Sequence, residues 1–171
     1  MRWMWIDRIL ELKPRERLVA IKTVSLSEEH LHDHFAAGPG SAALPIMPAS
    51  LIIEGMAQSA GILVGHAGGF KEKVVLAKVN SAEITREALP GSTLRYTATM
   101  ERFDTTGAAT RGVVELIEQT SGGPVCTEIG RIDLMFSHLD QNLAGAEFPK
   151  HNFVFSDTFR TLLTTSGFEA W

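Results

Sequence analysis

The chain has little of what cross-linked, membrane-spanning or nucleic-acid-binding proteins rely on. One cysteine among 171 residues leaves no internal disulfide to form, which excludes a disulfide-built secreted scaffold. No nucleophile signature surrounds that residue, Cys126. Positive charge is not in excess: a net charge of −4 gives no broad attraction to nucleic acid, and no nucleic-acid motif is present. Long unbroken apolar runs are also missing. Residues 44–64 approach the length of a membrane span, but Pro45, Pro48 and Glu54 interrupt them, and a carboxylate at a bilayer centre costs about 2.5–3.5 kcal/mol. The apolar start of the chain meets Asp7 and Arg8 before a signal-peptide core is complete. A cytoplasmic protein is expected. There is no internal repeat, long charge run or low-complexity segment.

What is present suits one globular domain. Hydrophobic residues make up 44% of the chain, enough for a single sizeable core. The apolar segment after Pro48 predicts a helix that runs to the glycines at 65, 68 and 69. Leu94, Tyr96, Ala98 and Met100 alternate with Arg95, Thr97 and Thr99, the period of a half-buried strand. Further strands are expected at 17–24, 73–79 with a short extension at 82–86, 113–117 and 129–136, and a short helix or turn at 5–12. Gly107 and residues 121–124 read as hairpin connections. One long helix among antiparallel strands is an α+β pattern. The pattern weakens after Phe136. Residues 1–138 are expected to form the domain, with 139–171 as an extension: a linker at 140–147, then an aromatic stretch packed on the domain.

The chemistry concentrates around the predicted helix. Glu54 and Gln58 lie one turn apart on a face otherwise surrounded by apolar residues. Burial there would raise the pKa of the Glu54 carboxyl and suit it to donate a proton. His34, upstream, belongs to the residue type that titrates near neutrality. A His/Glu pair is what reversible proton transfer needs. His30, His32 and His34 would share one face of a strand and invite a metal reading. No carboxylate or thiolate spacing completes such a site, and the composition of 25–33 favours turns, so no metal is expected.

His34-Phe35, the Pro45-Ile-Met-Pro48 turn, Leu51, Glu54 and Met56-Ala-Gln58 together resemble the (3R)-3-hydroxyacyl-[acyl-carrier-protein] dehydratases of the hot-dog fold. The resemblance extends over residues 5–136 and takes in Leu89-Pro-Gly91 after the helix. It implies a sheet wrapped around one long central helix. It also implies His34 and Glu54 as catalytic residues, with Ala49, Phe35, Pro48, Leu51 and Gln58 around the substrate. Ala49 would supply a backbone N–H to the thioester oxygen. The family uses no cofactor and builds each site from the His and Glu of opposite subunits, so a homodimer, with trimers of dimers possible, is implied. The partner is acyl carrier protein, for which Lys71, Lys73, Arg86 and Arg102 are candidate docking cations. Two departures stand out: the loop after His34 is longer than the family's, and Ala49 replaces a glycine. A thioesterase on the same fold and an inactive acyl-binding homologue remain open at this stage.

Overall fold

The computed structural model describes residues 3–139, 149 and 151–171; the expected linker at 140–147 lies outside them. The elements are β1 (Arg8–Lys13), β2 (Arg17–Thr23), α1 (Glu29–Asp33), α2 (Ala49–Ala67), β3 (Val74–Ile84), β4 (Thr93–Phe103), β5 (Gly107–Thr120), β6 (Gly123–His138) and α3 (Asp157–Thr165). The six strands form one sheet in the order β1-β2-β4-β5-β6-β3, with every neighbouring pair antiparallel. The sheet wraps α2, which packs against β2, β3, β4, β5 and β6. This is the hot-dog arrangement. Among the described residues no helix is long and apolar enough to cross a membrane.

Local chemistry sets the bounds of α2. Pro48 precedes it in extended conformation, fixed there by its ring. At the other end the Phe70 amide turns back to the Gly65 carbonyl at 2.7 Å. Leu94, Tyr96 and Ala98 of β4 all point into the core. Helix and sheet approach closely at Gly55: a Cβ there would lie 2.5 Å from the Tyr96 hydroxyl and 2.9 Å from the Trp5 carbonyl. Only glycine fits that position.

Three local expectations change. Residues 8–13 form a strand instead of a helix or turn. A register shift between Ile9 and Glu11 breaks the alternation that would have marked it. Residues 74–84 form one strand of 11 residues instead of a strand with an extension. It sits at the sheet edge, largely exposed, with two register shifts against β6. Gly107 begins β5 instead of connecting strands; the turn before it is held by Asp104 Oδ1, which accepts from the Thr106 and Gly107 amides at 2.9 and 3.1 Å.

Tyr96 is fully buried, and its hydroxyl has no hydrogen-bond partner among the described residues. Burial, and then the charge of Asp7, push its ionisation well above the ordinary tyrosine range. An unpaired buried hydroxyl costs about 1–3 kcal/mol. Tyr96→Phe is therefore expected to leave stability unchanged or raise it by about 1 kcal/mol, measured by urea unfolding.

Candidate active site

His34 is delivered by α1, a helix too short to stand alone and held down by two anchors. Leu31 is buried in the core. Glu28, at the helix start, accepts from the Ser25 amide at 3.1 Å and pairs with the Lys22 ammonium at 2.7 Å. Lys22 is itself buried, faces Asp7 at 3.4 Å and donates to the Thr23 carbonyl at 2.8 Å, so several partners together compensate the buried charge. His34 follows α1, with its amide donating to the His30 carbonyl at 3.1 Å and its ring 4.2 Å from that of Phe35. Both side chains are exposed.

Helical geometry at 29–33 turns His32 away from His30 and His34, which stand one turn apart, instead of aligning all three as a strand would. The His30 ring packs edge-on to Trp5 at 5.0 Å. Burial lowers its pKa from the usual 6.5, against the opposing effect of Glu28, with Lys22 and His34 adding to the lowering.

The long loop after His34 is a closed excursion. Leu44 donates its amide to the Phe35 carbonyl at 3.0 Å, and Gly38 and Ser41 exchange two backbone bonds of 3.1 Å. The insertion therefore projects outward while its two ends stay together. The chain then returns through Met47, whose amide bonds the Ala88 carbonyl at 2.9 Å, to Pro48 and the start of α2. The Leu51 and Ile52 amides bond back to the Pro48 carbonyl at 2.9 and 3.2 Å. The Ala49 and Ser50 amides have no acceptor among the described residues, which leaves donors at the positive end of the helix. Ala49 is not among the non-glycine residues with positive φ, which are Arg15 and Phe70 among those described. Replacing glycine there thus carries no backbone strain.

Phe35, Pro48 and Ala49 join His34 around a cleft of about 340 Å³ that Ile84 and Thr85 also line. Glu54 is elsewhere. It lines a second cleft of about 260 Å³ with Gln58 and apolar side chains. The reason is angular. At 3.6 residues per turn, Ala49 and Ile52 look one way from α2 while Glu54, Gln58 and Gly61 look the other. Glu54 is half-buried, more accessible than a carboxyl enclosed by the core, because this face of α2 is not fully covered. Leu51 is buried and lines neither cleft.

Gln58 has a larger role than its motif position suggested. It is buried and uses its whole amide: Oε1 accepts from the Trp5 N–H at 2.8 Å, while Nε2 donates to the Trp3 carbonyl at 3.0 Å and to Glu54 Oε1 at 2.9 Å. It ties the N-terminal segment to α2 and orients the acid. No short-range signal marks Trp3 and Trp5 as its partners, since they stand 55 and 53 positions away. Of the four candidate docking cations, Arg86 is the one beside the His34 cleft, paired with Glu118 at 2.9 Å. Arg102 pairs with Asp104 at 3.4 Å, Lys73 is buried and Lys71 is exposed.

The 3-hydroxyacyl-[acyl-carrier-protein] dehydratase FabZ of Symbiobacterium thermophilum is 40% identical over 99 residues, 57% of this chain and 66% of that protein. The chain thus spans just under two thirds of that relative's length. Solved structures share the fold. The dehydratase heterocomplex ApeI:P from Xenorhabdus doucetiae aligns with a TM-score of 0.57 at 17% identity, over 83% of this chain and 90% of that one. A thioesterase family protein from Silicibacter pomeroyi aligns at 0.58 and 12% identity, over 76% and 82%. Residues 2–121 match the FabA-like domain, and on that match, with the hot-dog fold around it, the chain belongs to the FabA-like domain family.

Proposed function

We propose that the protein dehydrates (3R)-3-hydroxyacyl thioesters carried on acyl carrier protein to trans-2-enoyl thioesters, in fatty-acid or related acyl-chain biosynthesis in the cytoplasm. One observation carries this reading: the cleft holding His34 and the cleft holding Glu54 sit at opposite ends of the same edge strand, β3. Val74, Val75 and Leu76 at the start of β3 line the Glu54 cleft, and Ile84 at its end lines the His34 cleft. The edge is exposed and partly apolar, with Leu76 and Val79 open to solvent, a surface that invites another strand. A second copy pairing antiparallel along β3 would set the end of one strand beside the start of the other. Each His34 would then meet the partner copy's Glu54, giving two sites per homodimer. Trimers of such dimers are compatible with this pairing.

In such a site His34 takes the proton from C2, the C2–C3 double bond forms as the C3–O bond breaks, and Glu54 delivers a proton to the departing hydroxyl, which leaves as water. The Ala49 amide at the helix start donates to the thioester oxygen as charge builds there. Phe35 and Pro48 flank the acyl thioester beside His34, and Leu51 backs the helix start from within the core. Gln58 holds Glu54 in position, and no cofactor takes part. Residues 1–138 form the hot-dog unit and 139–171 an extension; the burial of Leu162 and Leu163 of α3 in the common core supports packing of that extension on the unit.

The test is hydration of a short trans-2-enoyl thioester, followed by loss of the conjugated chromophore beside a free-thiol assay. Chromophore loss without thiol release is expected. Thiol release would point to a thioesterase, and neither signal, even with acyl-carrier-protein substrates, would overturn the enzymatic reading.

A further inference from the structure

The Glu54 cleft changes character along its length. Glu54 and Gln58 stand at one end, and Ala57, Gly61 and Ile62 continue along the same face of α2. Gly61 lines the groove, and a Cβ on it would meet Phe136 in ordinary contact at 3.7 Å, so a side chain fits at that turn without a clash. One turn on, the groove is closed. The Phe155 ring occupies the space in which a Gly65 side chain would stand, and Val154 and Phe159 complete the wall.

This closure is firmly built. Phe155 is buried, with the rings of Phe70, Trp171 and Phe159 at 5.0, 5.8 and 6.0 Å. Asn152 Nδ2 donates to the carbonyls of Phe70 at 3.0 Å and Glu72 at 2.9 Å. Beyond α3, Ser166 Oγ accepts from the Ile9 amide at 2.9 Å. Val154, Phe155 and Phe159 lie outside residues 2–121, the part matched to the family, and belong to the C-terminal segment beyond the sheet.

We propose that Phe155 and Phe159 terminate an acyl-chain groove that begins at Glu54, and so make the C-terminal segment the determinant of acyl-chain length. The proposal rests on the dehydratase reading, which places C3 of the substrate beside Glu54. From Glu54 to Gly61 the helix rises about 10 Å at about 1.5 Å per residue. An extended alkyl chain advances about 1.3 Å per carbon, given bonds of about 1.5 Å. Chains of about ten carbons therefore fill the groove, and longer ones meet the Phe155 ring.

The test measures calorimetric affinities of saturated acyl-pantetheine thioesters of six, ten and fourteen carbons, with kcat/KM for hydration of the matching enoyl thioesters. The proteins compared are the wild type, Phe159→Ala and Gly61→Val. Wild type is expected to favour ten carbons over fourteen by at least about tenfold. Phe159→Ala should reduce that ratio by about tenfold, and Gly61→Val, which narrows the groove before the wall, should move the preference towards six. Identical length preferences in all three proteins would overturn the proposal. If the length dependence of binding shifts as expected but no enoyl thioester is hydrated, the dehydratase reading fails and the acyl groove stands.

Discussion

A heterodimer of one His34→Ala chain and one Glu54→Gln chain is expected to recover about half of the wild-type activity, and an equilibrated mixture of the two proteins about a quarter. Each variant alone should lose at least about 100-fold in kcat, the usual weight of a positioned acid or base. The recovery follows from β3. If its free edge pairs with a second copy, every site takes its base from one chain and its acid from the other. In the heterodimer one site then carries both lesions and the other carries none. Co-expression under two affinity tags isolates this species, and light scattering with circular dichroism checks that dimer and fold persist. A heterodimer as inactive as its parents would mean that base and acid come from the same chain. Parents that are both fully active would remove His34 and Glu54 from the mechanism.

Gln58→Met should be the most damaging substitution of similar volume near the site. Methionine fills the space but offers neither a carbonyl to the Trp5 amide nor an N–H to the Trp3 carbonyl and Glu54. Each buried group left unpaired costs about 1–3 kcal/mol, so a loss of about 3 kcal/mol is expected from chemical denaturation. The same substitution frees the Glu54 carboxyl to rotate. Hydration kcat should therefore fall at temperatures where the variant is still fully folded, with KM changing less. A stable variant with unaltered kcat would show that Gln58 neither supports the fold nor positions the acid.

Much of this architecture could be read from residue order. Pro48 and the glycines at 65–69 bracket α2 because their backbone preferences are local. The alternation of Leu94, Tyr96 and Ala98 marks β4 because one of its faces is dry. The motif residues locate the chemistry but not its assembly: His34 and Glu54 line separate clefts on opposite faces of one helix, and only the sheet edge suggests how they meet. β1 escaped detection because its register shift scrambles the period of two. α1 is pinned by Leu31 in the core and by buried Lys22, which pairs with Glu28, so its anchoring depends on burial and not on local propensity. The wall made by Phe155 and Phe159 is legible only as aromatic density, since its position depends on the glycine at 65 that leaves room for it.

The bond from the Ile9 amide to Ser166 joins residues 157 positions apart. Contacts of such separation carry a high loop-closure cost and form late. During synthesis, the strands and central helix can associate before Ser166 has left the ribosome, with the Gly65 side of α2 still bare. Docking of the aromatic segment onto an already wrapped helix is then expected to follow the wrapping of the sheet. Folding intermediates should expose that apolar stripe, and chaperone capture should concentrate there.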